Sequence, residues 1–436
     1  MLIEFTVGNF RSFKEPVTFS MVAANLKSQD KTVDENNTFE VNDKLRLLKS
    51  VAIYGANASG KTNLVKAMQF MQNFVLTSSK ESQAAEAIPT EAFRLNAETF
   101  NEPSFFQIVF MQQGVQYRYG FKVSAERIIS EWLFAYGTTK EANLFQRDQD
   151  EIRPSPTKFK EGKGLKDKTR KNALFLSVVA QFNGSIAQDI LTWFRCFNLI
   201  SGSSPHSYFS YSMGMFHSSE HFQEMQECIH DLDLSIQGLV VDRQEFTSEH
   251  MPEGAPEALK QMILMHNKVE GYSVQTVHDV FDHSGKKTGT TLLNLDEHES
   301  DGTQKLVALA GPIVNSLRCG KVLFVDELDA RLHPLITRAL IRMFSSPKRN
   351  PLNAQLIFAT HDINLLDKDL FRRDQIWFAE KNRQGATKLY SLVEFRVRND
   401  NSSLESDYIH GKFGAIPFLG DLNSKSEESE AVSGAE

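Results

Sequence analysis

Alternating apolar and polar residues predict β-strands near the start of the chain. Residues 2–7, LIEFTV, follow this alternation, and residues 17–24, VTFSMVAA, supply an antiparallel partner for them. A second hairpin is predicted over residues 105–124, with its turn near Gln113-Gly114. The first part of the chain is therefore expected to build an antiparallel sheet.

A different pattern begins at residues 50–54, SVAIY, a short and largely apolar run that ends at a glycine. Such a run is typical of a central parallel strand that is buried on both faces. Apolar residues then recur at helical spacing and predict a helix with one apolar face. They are Leu64, Met68, Met71 and Val75.

Two later runs, residues 321–329 and 354–362, are also nearly all apolar and end in acidic or polar residues. A helix is predicted between them, over residues 334–345. Because strand, helix and strand follow one another at this spacing, we expect a βαβ unit with a right-handed crossover.

The region between residues 136 and 289 has a less regular pattern, which suggests a separate lobe. Residues 201–214 are rich in turn-forming residues, and a helix is predicted over residues 219–233. Residues 158–171 form a basic segment with glycines, interpreted as a solvated, mobile loop or as a contact for nucleic-acid phosphates. The last residues, 424–436, lack aromatics and predict a disordered tail.

Composition narrows the function classes. The chain has 436 residues, 41% of them hydrophobic, and a net charge of −7, so any contact with DNA or RNA has to be a local patch. The three cysteines, Cys196, Cys228 and Cys319, are far apart and indicate neither a zinc site nor disulfides. No signal peptide and no apolar run of about 18 residues is present. We expect a soluble protein of the cytoplasm with no membrane partner.

The segment GANASGKT, residues 55–62, matches the pattern G-x-x-x-x-G-K-[ST] between a predicted strand and a predicted helix. Its glycines let successive N–H groups point inward as an anion nest, and the helix N-terminus adds positive character. Lys61 is expected to reach the β- and γ-phosphates, and Thr62 to bind Mg²⁺. The predicted nucleotide contacts are Gly55, Asn57, Ala58, Ser59, Gly60, Lys61, Thr62 and Asn63.

An acid pair ends the apolar strand VLFVDE, residues 322–327. Asp326 is placed to bind Mg²⁺, and Glu327 is the candidate base that orients the attacking water. The alternative is a strand that exits into solvent through acidic residues. His361 follows the next strand and is the candidate that senses the γ-phosphate; its alternative is an ordinary loop histidine.

A second anion site is predicted at ESDGTQKLVALAGPIV, residues 299–314. Ser300, Gly302 and Thr303 immediately precede an apolar helical segment, and a small, glycine-containing helix N-terminus can hold an anion. The alternative is an ordinary helix cap.

These elements, in this order, resemble the ABC-type ATPase heads of the SMC, Rad50 and RecF group. The resemblance implies an α/β P-loop NTPase fold, ATP and Mg²⁺ as cofactors, and a homodimer in which the signature at Ser300–Gln304 of one subunit covers the phosphate held by the other. It also implies a D-loop at Leu328–Arg331 and a phosphate contact for Arg11 in VGNFRSF, residues 7–13. A surface role for Arg11 is the alternative.

The resemblance divides the chain into two halves of an ATPase head, residues 1–135 and 290–422. Residues 136–289 then form a compact inserted α+β lobe, and residues 423–436 an acidic tail. Ser300 lies 239 positions after Lys61, a separation too short for long coiled-coil arms, and heptads are absent. Gln181 is the candidate Q-loop glutamine near the metal, with a buried helix end as its alternative.

Four segments give a narrower resemblance, to the stand-alone AAA/ABC-type ATPases of abortive-infection systems such as RloA/AbiL-like proteins, the PARIS ATPase AriA and PtuA. They are YGANASGKTNL, DELDARLHP, ATHDINLLD and YIHGKFGAIPFL. The resemblance implies an ATPase that controls a separate nuclease or Toprim-type effector in antiphage defence, with DNA or a phage protein as trigger. A RecF-like repair ATPase without a toxic partner, and a non-hydrolysing ATP-dependent glue, are the alternatives.

Overall fold

The computed structural model describes residues 1–81, 83, 86–137, 140–218, 220–232, 235–247, 268–396 and 403–417. The predicted acidic tail, residues 423–436, lies outside these ranges. Within them, no helix combines the length and the apolar character that crossing a bilayer requires.

Eighteen strands are numbered in chain order through the described residues. They are β1 Leu2–Gly8, β2 Val17–Ser20, β3 Thr38–Asn42, β4 Leu45–Leu48, β5 Ser50–Tyr54, β6 Ser104–Gln112, β7 Val115–Val123, β8 Ile128–Tyr136, β9 Glu141–Asp148, β10 Glu151–Pro154, β11 Phe197–Ser201, β12 Gly238–Thr247, β13 Lys268–Phe281, β14 Lys287–Asn294, β15 Val322–Asp326, β16 Gln355–Ala359, β17 Ile376–Lys381 and β18 Thr387–Ser391.

Ten α-helices are numbered in the same way. They are α1 Lys31–Asn37, α2 Lys61–Thr77, α3 Phe175–Gln181, α4 Ser185–Arg195, α5 His206–His217, α6 Phe222–Leu232, α7 Leu295–His298, α8 Asp301–Cys319, α9 Pro334–Ser345 and α10 Leu404–Ile409. The longest described helix has 19 residues, so this part of the chain contains no long coiled coil. The expected mixed α/β P-loop architecture is confirmed.

The central sheet has six strands in the order β11-β15-β16-β5-β17-β18. Neighbouring strands are parallel except for the antiparallel edge strand β18. In this order the strand before the phosphate loop, β5, lies beside β16, and β16 lies beside β15. Because parallel strands share one carboxyl end, the residues that follow these three strands meet at one edge of the sheet.

Burial on both faces explains why the central strands are apolar throughout. In β5, Val51 and Ile53 join one hydrophobic core, whereas Ala52 and Tyr54 join the other. The first core also contains the apolar face of α2, and the second contains that of α8. Successive side chains of a strand point to opposite faces, so a strand between two helical layers needs apolar residues at every position.

A seven-stranded antiparallel sheet, ordered β10-β9-β8-β7-β6-β1-β2, lies on the first core. The predicted hairpins form here: β1 pairs with β2, and β6 pairs with β7 across Gln113 and Gly114, both at positive φ. Positive φ at both turn residues is typical of the two-residue turn that suits the twist of a hairpin.

The predicted lobe boundary at residue 136 does not coincide with a break in the structure. Strands β9 and β10 continue the seven-stranded sheet, and β11 pairs with β15 in the central sheet. Helices α5 and α6 and the three-stranded sheet β12-β13-β14 begin only after residue 201. Residues 201–214 were predicted to be turn-rich, but most of them lie in α5, so that prediction is wrong.

Candidate functional site

The phosphate loop, residues 55–62, joins the carboxyl end of β5 to the first turn of α2. Gly60 caps α2 with a φ of 112°, a conformation that favours glycine. A Cβ added at Gly60 would lie 2.3 Å from Oγ1 of Thr387, so the space is closed as well. Asn57 and Ala58 are exposed at the crest of the loop, whereas Ser59 is buried. The loop has the tight form that its glycines predict.

Lys61 turns back onto the loop that precedes it. Its Nζ donates to the carbonyl oxygens of Gly55, at 2.7 Å, and Ala56, at 3.1 Å. Burial lowers the pKa of the Lys61 ammonium to about 8, and the carboxylate of Asp326 opposes this shift. The ammonium therefore lies inside the cradle, held by neutral carbonyl groups that an anionic ligand can replace.

The first turn of α2 faces the loop formed by residues 9–13. Asn63 Nδ2 donates to Oγ of Ser12 at 2.7 Å, and Oγ1 of Thr387 donates to the same hydroxyl at 2.9 Å. Arg11 precedes Ser12 in the chain, and its guanidinium forms an ion pair with the carboxylate of Glu91 at 2.5 Å. Its guanidinium is therefore engaged, and a phosphate contact would require this ion pair to open.

Asp326, the last residue of β15, lies beside Thr62 and accepts a hydrogen bond from its side chain. Burial raises the pKa of Asp326, and the Thr62 hydrogen bond opposes this shift. One carboxylate oxygen, Oδ1, is buried without a hydrogen-bond partner. An unpaired buried carboxylate oxygen next to a threonine hydroxyl fits a Mg²⁺ site, because Mg²⁺ prefers oxygen ligands.

A complete protein cage for a metal is absent from the residues that the structure describes: no three His, Cys, Asp or Glu side chains cluster. Mg²⁺ bound to a nucleotide takes few ligands from the protein and the rest from phosphates and water. Thr62 and Asp326 are the residues that would hold it.

Glu327 has a left-handed backbone conformation, with a φ of 56°. The segment after β11 packs directly against it. The Gly202 N–H donates to the Asp326 carbonyl at 2.6 Å, and a Cβ added at Gly202 would lie 2.2 Å from the carbonyl oxygen of Glu327. Since β11 ends beside β15, Ser201 and Gly202 occupy the place next to the acid pair. Sequence reasoning missed this pair of residues.

His361 follows β16, and its main-chain N–H donates to Oδ2 of Asp329 at 3.3 Å. Burial, and then the charge of Lys61, lower the pKa of the His361 imidazole. In its neutral form the imidazole can accept or donate a hydrogen bond. His361 and the phosphate loop line the same cavity of about 980 Å³.

The predicted second anion site lies at the start of α8. The Ser300 side chain caps this helix by accepting from the N–H of Thr303 at 3.2 Å. Gly302 lies under the D-loop: a Cβ there would be 2.7 Å from the carbonyl oxygen of Arg331. Ser300 is exposed, and no hydrogen bond recorded for the described residues links positions 300–303 to the phosphate loop.

Gln181 is not brought to this site. It ends α3, and Ser177 in the same helix contacts Ser78 and Ser79, just past the last residue of α2. The phosphate loop lies at the other end of α2, about 25 Å away for 17 residues. The interpretation of Gln181 as a metal-site residue is corrected, because the apolar run before it is a buried helix and not a strand of the central sheet.

The C-terminal segment, residues 403–417, is a second feature that local pattern did not place. The Ala415 carbonyl accepts from the N–H of Ala56 in the phosphate loop at 3.0 Å, and from the Tyr408 hydroxyl at 3.1 Å. Tyr408, Ile416 and Pro417 line the cavity beside the loop. The segment therefore supports one wall of the site.

One protein family matches the chain. Residues 50–367 match the family described as "AAA domain, putative AbiEii toxin, Type IV TA system". The chain belongs to this AAA domain family. The matched region of the AAA domain runs from β5 through the acid pair and past His361, so it contains most of the site described above. None of the curated proteins compared with the chain matches it.

Three SMC heads are among the solved structures to which the chain is similar. The SMC head bound to the C-winged helix domain of ScpA is 13% identical, with a TM-score of 0.43, and covers 89% of this chain and 97% of that one. The SMC head domain from Thermotoga maritima is 13% identical, with a TM-score of 0.37, and covers 91% and 99%. An SMC head with an extended coiled coil from Pyrococcus furiosus is 12% identical, with a TM-score of 0.37.

Proposed function

We propose that this AAA domain protein binds and hydrolyses ATP between two copies of itself and thereby controls a separate effector. One observation carries the proposal: the buried, unpartnered Oδ1 of Asp326 lies beside Thr62, at the mouth of the Lys61 cradle. A buried carboxylate oxygen without a partner is costly, and a nucleotide-bound cation would satisfy it.

Each residue of the site has a separate role in the proposed reaction. Lys61 exchanges its two carbonyl acceptors for phosphate oxygens, and the N–H groups that begin α2 bind the same anion. Glu327 accepts a proton from the attacking water, and His361 contacts the γ-phosphate as a neutral imidazole. Thr62 and Asp326 would hold Mg²⁺, which would supply positive charge to offset the negative charge that develops on the phosphates.

The position of the second anion site supports the proposed dimer. The N-terminus of α8 is exposed and packs on its own D-loop, so a phosphate from another chain can reach the Ser300 hydroxyl and the N–H groups of the first turn that precede Thr303. A symmetric pair of chains then gives two composite sites, each with Lys61 of one chain and Ser300 of the other.

The control of an effector is proposed from the family description, which names a toxin system, and from the chemistry of the chain. Outside the nucleotide site, the described residues include no cluster of His and acidic side chains that would cut nucleic acid with a metal. A separate nuclease or Toprim-type protein is therefore the proposed effector, with antiphage defence as the setting.

Subunit complementation tests the composite site. Lys61→Ala and Ser300→Arg each inactivate both sites of a homodimer, but a mixed dimer keeps one intact site. Mixing equal amounts restores up to about a quarter of wild-type turnover, because half of the dimers are mixed and each has one of two sites, and coupling between the sites lowers this figure. If neither turnover nor ATP-dependent dimerisation recovers, with both proteins folded, the sandwich is contradicted.

Glu327→Gln tests hydrolysis itself. We expect turnover to fall by about 10²–10⁴-fold, because the base is lost, while ATP still binds and dimers accumulate in light scattering. Unchanged turnover removes Glu327 from its role. Co-purification with the product of the adjacent gene, with and without ATP, tests effector control.

A DNA-dependent ATPase is the second candidate, and the basic segment favours it. Residues 158–171 form an ordered loop, because Phe159 and Leu165 are buried in the core and two short 3₁₀ turns shape it. Its exposed lysines are Lys158, Lys160, Lys163, Lys166, Lys168 and Lys171. Turnover that rises on addition of DNA, and loses this response in high salt, supports this candidate.

A further inference from the structure

A buried lysine lies under the turn that follows the acid pair. Lys305, in the second turn of α8, has 0% of its surface exposed. Its Nζ donates to three main-chain carbonyl oxygens: Glu327 at 3.1 Å, Leu328 at 2.8 Å and Ala330 at 2.6 Å. An ammonium group has three donors, so all of them are used on this turn.

The chemical type of the groups that accept hydrogen bonds from Lys305 indicates what this lysine holds in place. A buried lysine is ordinarily paired with a carboxylate, but the hydrogen-bond acceptors of Lys305 are all backbone carbonyls. What the ammonium fixes is therefore the path of the main chain from Glu327 to Ala330. Glu327 needs such support, because its φ of 56° is unfavourable for a residue with a side chain.

The other end of the same unit is the predicted signature. Lys305 lies five positions after Ser300, the cap of α8. Asp301 pairs with Arg331 at 3.3 Å, and Gly302 packs against the Arg331 carbonyl. The first two turns of α8 and residues 326–331 are thus joined by hydrogen bonds, an ion pair and close packing.

We propose that Lys305 is a positioning residue, which holds the Glu327 backbone so that its carboxylate faces the attacking water, and which ties this base to the phosphate contact at Ser300. In the dimer, the Ser300 end of α8 touches the ATP of the partner's site, whereas Glu327 serves the ATP of its own chain. Lys305 then couples the two ATP sites. This inference rests on the proposed function.

Three substitutions separate positioning from simple stabilisation. Lys305→Met removes the charge at similar length, Lys305→Arg keeps a charged donor, and Lys321→Met is the control. Lys321 lies just past the far end of α8, where it contacts the Asn315 side chain at 3.1 Å. Each variant is measured for ATP affinity, turnover, the Hill coefficient for ATP and thermal unfolding.

Lys305→Met is expected to lower turnover by about 100-fold, because displacing a catalytic group by about 1 Å has this effect. The Kd for ATP stays within about threefold of wild type, since the phosphate loop is untouched, and the Hill coefficient falls to 1. Lys305→Arg recovers at least part of the turnover, and Lys321→Met behaves as wild type. A Lys305→Met protein that unfolds earlier but keeps its turnover and Hill coefficient overturns the proposal.

A double-mutant cycle with Glu327→Gln provides the sharper measurement. If Lys305 acts through Glu327, then Lys305→Met added to Glu327→Gln causes no further loss of turnover. Full additivity overturns the proposal. If Lys305→Met does not fold, two other measurements decide: the turnover of Lys305→Arg, and the hydrogen exchange of residues 326–331 in wild type. The proposal requires that binding of ATP slows hydrogen exchange in this turn. A wild type that binds ATP without hydrolysing it refutes the proposed function instead, and the exchange measurement still judges Lys305.

Discussion

Gly202→Ala lies outside every recognised motif, and we expect it to slow ATP hydrolysis. Gly202 directly follows β11, and its N–H donates to the carbonyl of Asp326 at 2.6 Å. A Cβ at this position would lie 2.2 Å from the carbonyl oxygen of Glu327 and 2.9 Å from that of Asp326. Both neighbours are main-chain atoms, so no flexible side chain can move aside.

The size of the effect follows from these distances. Ordinary van der Waals contact begins at 3.4 Å, so the Glu327 backbone and the added methyl group must separate by 3.4 − 2.2 = 1.2 Å. Overpacking of this kind costs about 1–3 kcal/mol of folding free energy. A shift of about 1 Å in a catalytic group lowers turnover by roughly 10²-fold. Binding of ATP is spared, because Gly202 lies outside the phosphate loop.

The assay compares Gly202→Ala with Gly289→Ala. Gly289 lies in β14, and a Cβ there would meet nothing within 4 Å. We expect the control to match wild type in steady-state ATP turnover and in binding of a fluorescent ATP analogue. Gly202→Ala should bind the analogue normally but turn ATP over about 100 times more slowly. Wild-type turnover in a folded Gly202→Ala protein would refute the placement of this segment against the acid pair.

The remaining predictions concern binding and pH. Gly60→Ala should weaken ATP binding at least tenfold in calorimetry, because its φ of 112° and the 2.3 Å approach to Thr387 both exclude a Cβ; tight binding would contradict the loop geometry. Burial lowers the pKa of Lys305 from 10.5 to about 8. Between these values the unfolded chain binds a proton that the folded chain lacks, so the free energy of unfolding rises with pH. The part of the rise due to Lys305 should reach at most about 3 kcal/mol. Urea titrations of Lys305→Met should show a rise smaller by this part, because Lys61, whose pKa is also lowered to about 8, still contributes.

Local pattern predicted the parts of the site that each lie at the end of one buried strand. The run at residues 50–54 became β5, and the helix predicted over 334–345 is α9, Pro334–Ser345. Such segments are readable because two-sided burial demands apolar residues at consecutive positions. The phosphate loop, Asp326 and His361 were predicted in this way.

Helix α5 was missed although Tyr208, Met213, Met215 and Phe216 are buried in it, because serine and glycine interrupt the apolar pattern. Ser212 is buried and donates to the carbonyl of Ala308, and a Cβ at Gly311 would lie 2.4 Å from the Ser212 hydroxyl. At this contact the two helices approach so closely that a larger side chain has no room. A sequence rich in serine and glycine predicts turns when this contact with α8 is not known.

The supports of the site escaped prediction because they come from distant parts of the chain. Gly202 reaches the acid pair only through the pairing of β11 with β15, and the Ala415 carbonyl reaches Ala56 from the C-terminal segment. No sequence pattern singled out Lys305. Its burial depends on which helix face the D-loop covers, and one sequence alone does not reveal this.

The turn at residues 326–331 is where these supports converge. Thr62 bonds its first residue, Lys305 fixes its middle, and the N–H of His361 bonds Asp329 on its far side. Each contact comes from an element with a different proposed role: the cradle, the signature helix and the γ-phosphate sensor. A change in any one of these contacts must be accommodated by a backbone in which Glu327 already has a left-handed conformation. Because a strained turn has few alternative conformations, the contacts from Thr62, Lys305 and His361 cannot change independently. The two ATP sites of the proposed dimer should therefore hydrolyse ATP cooperatively.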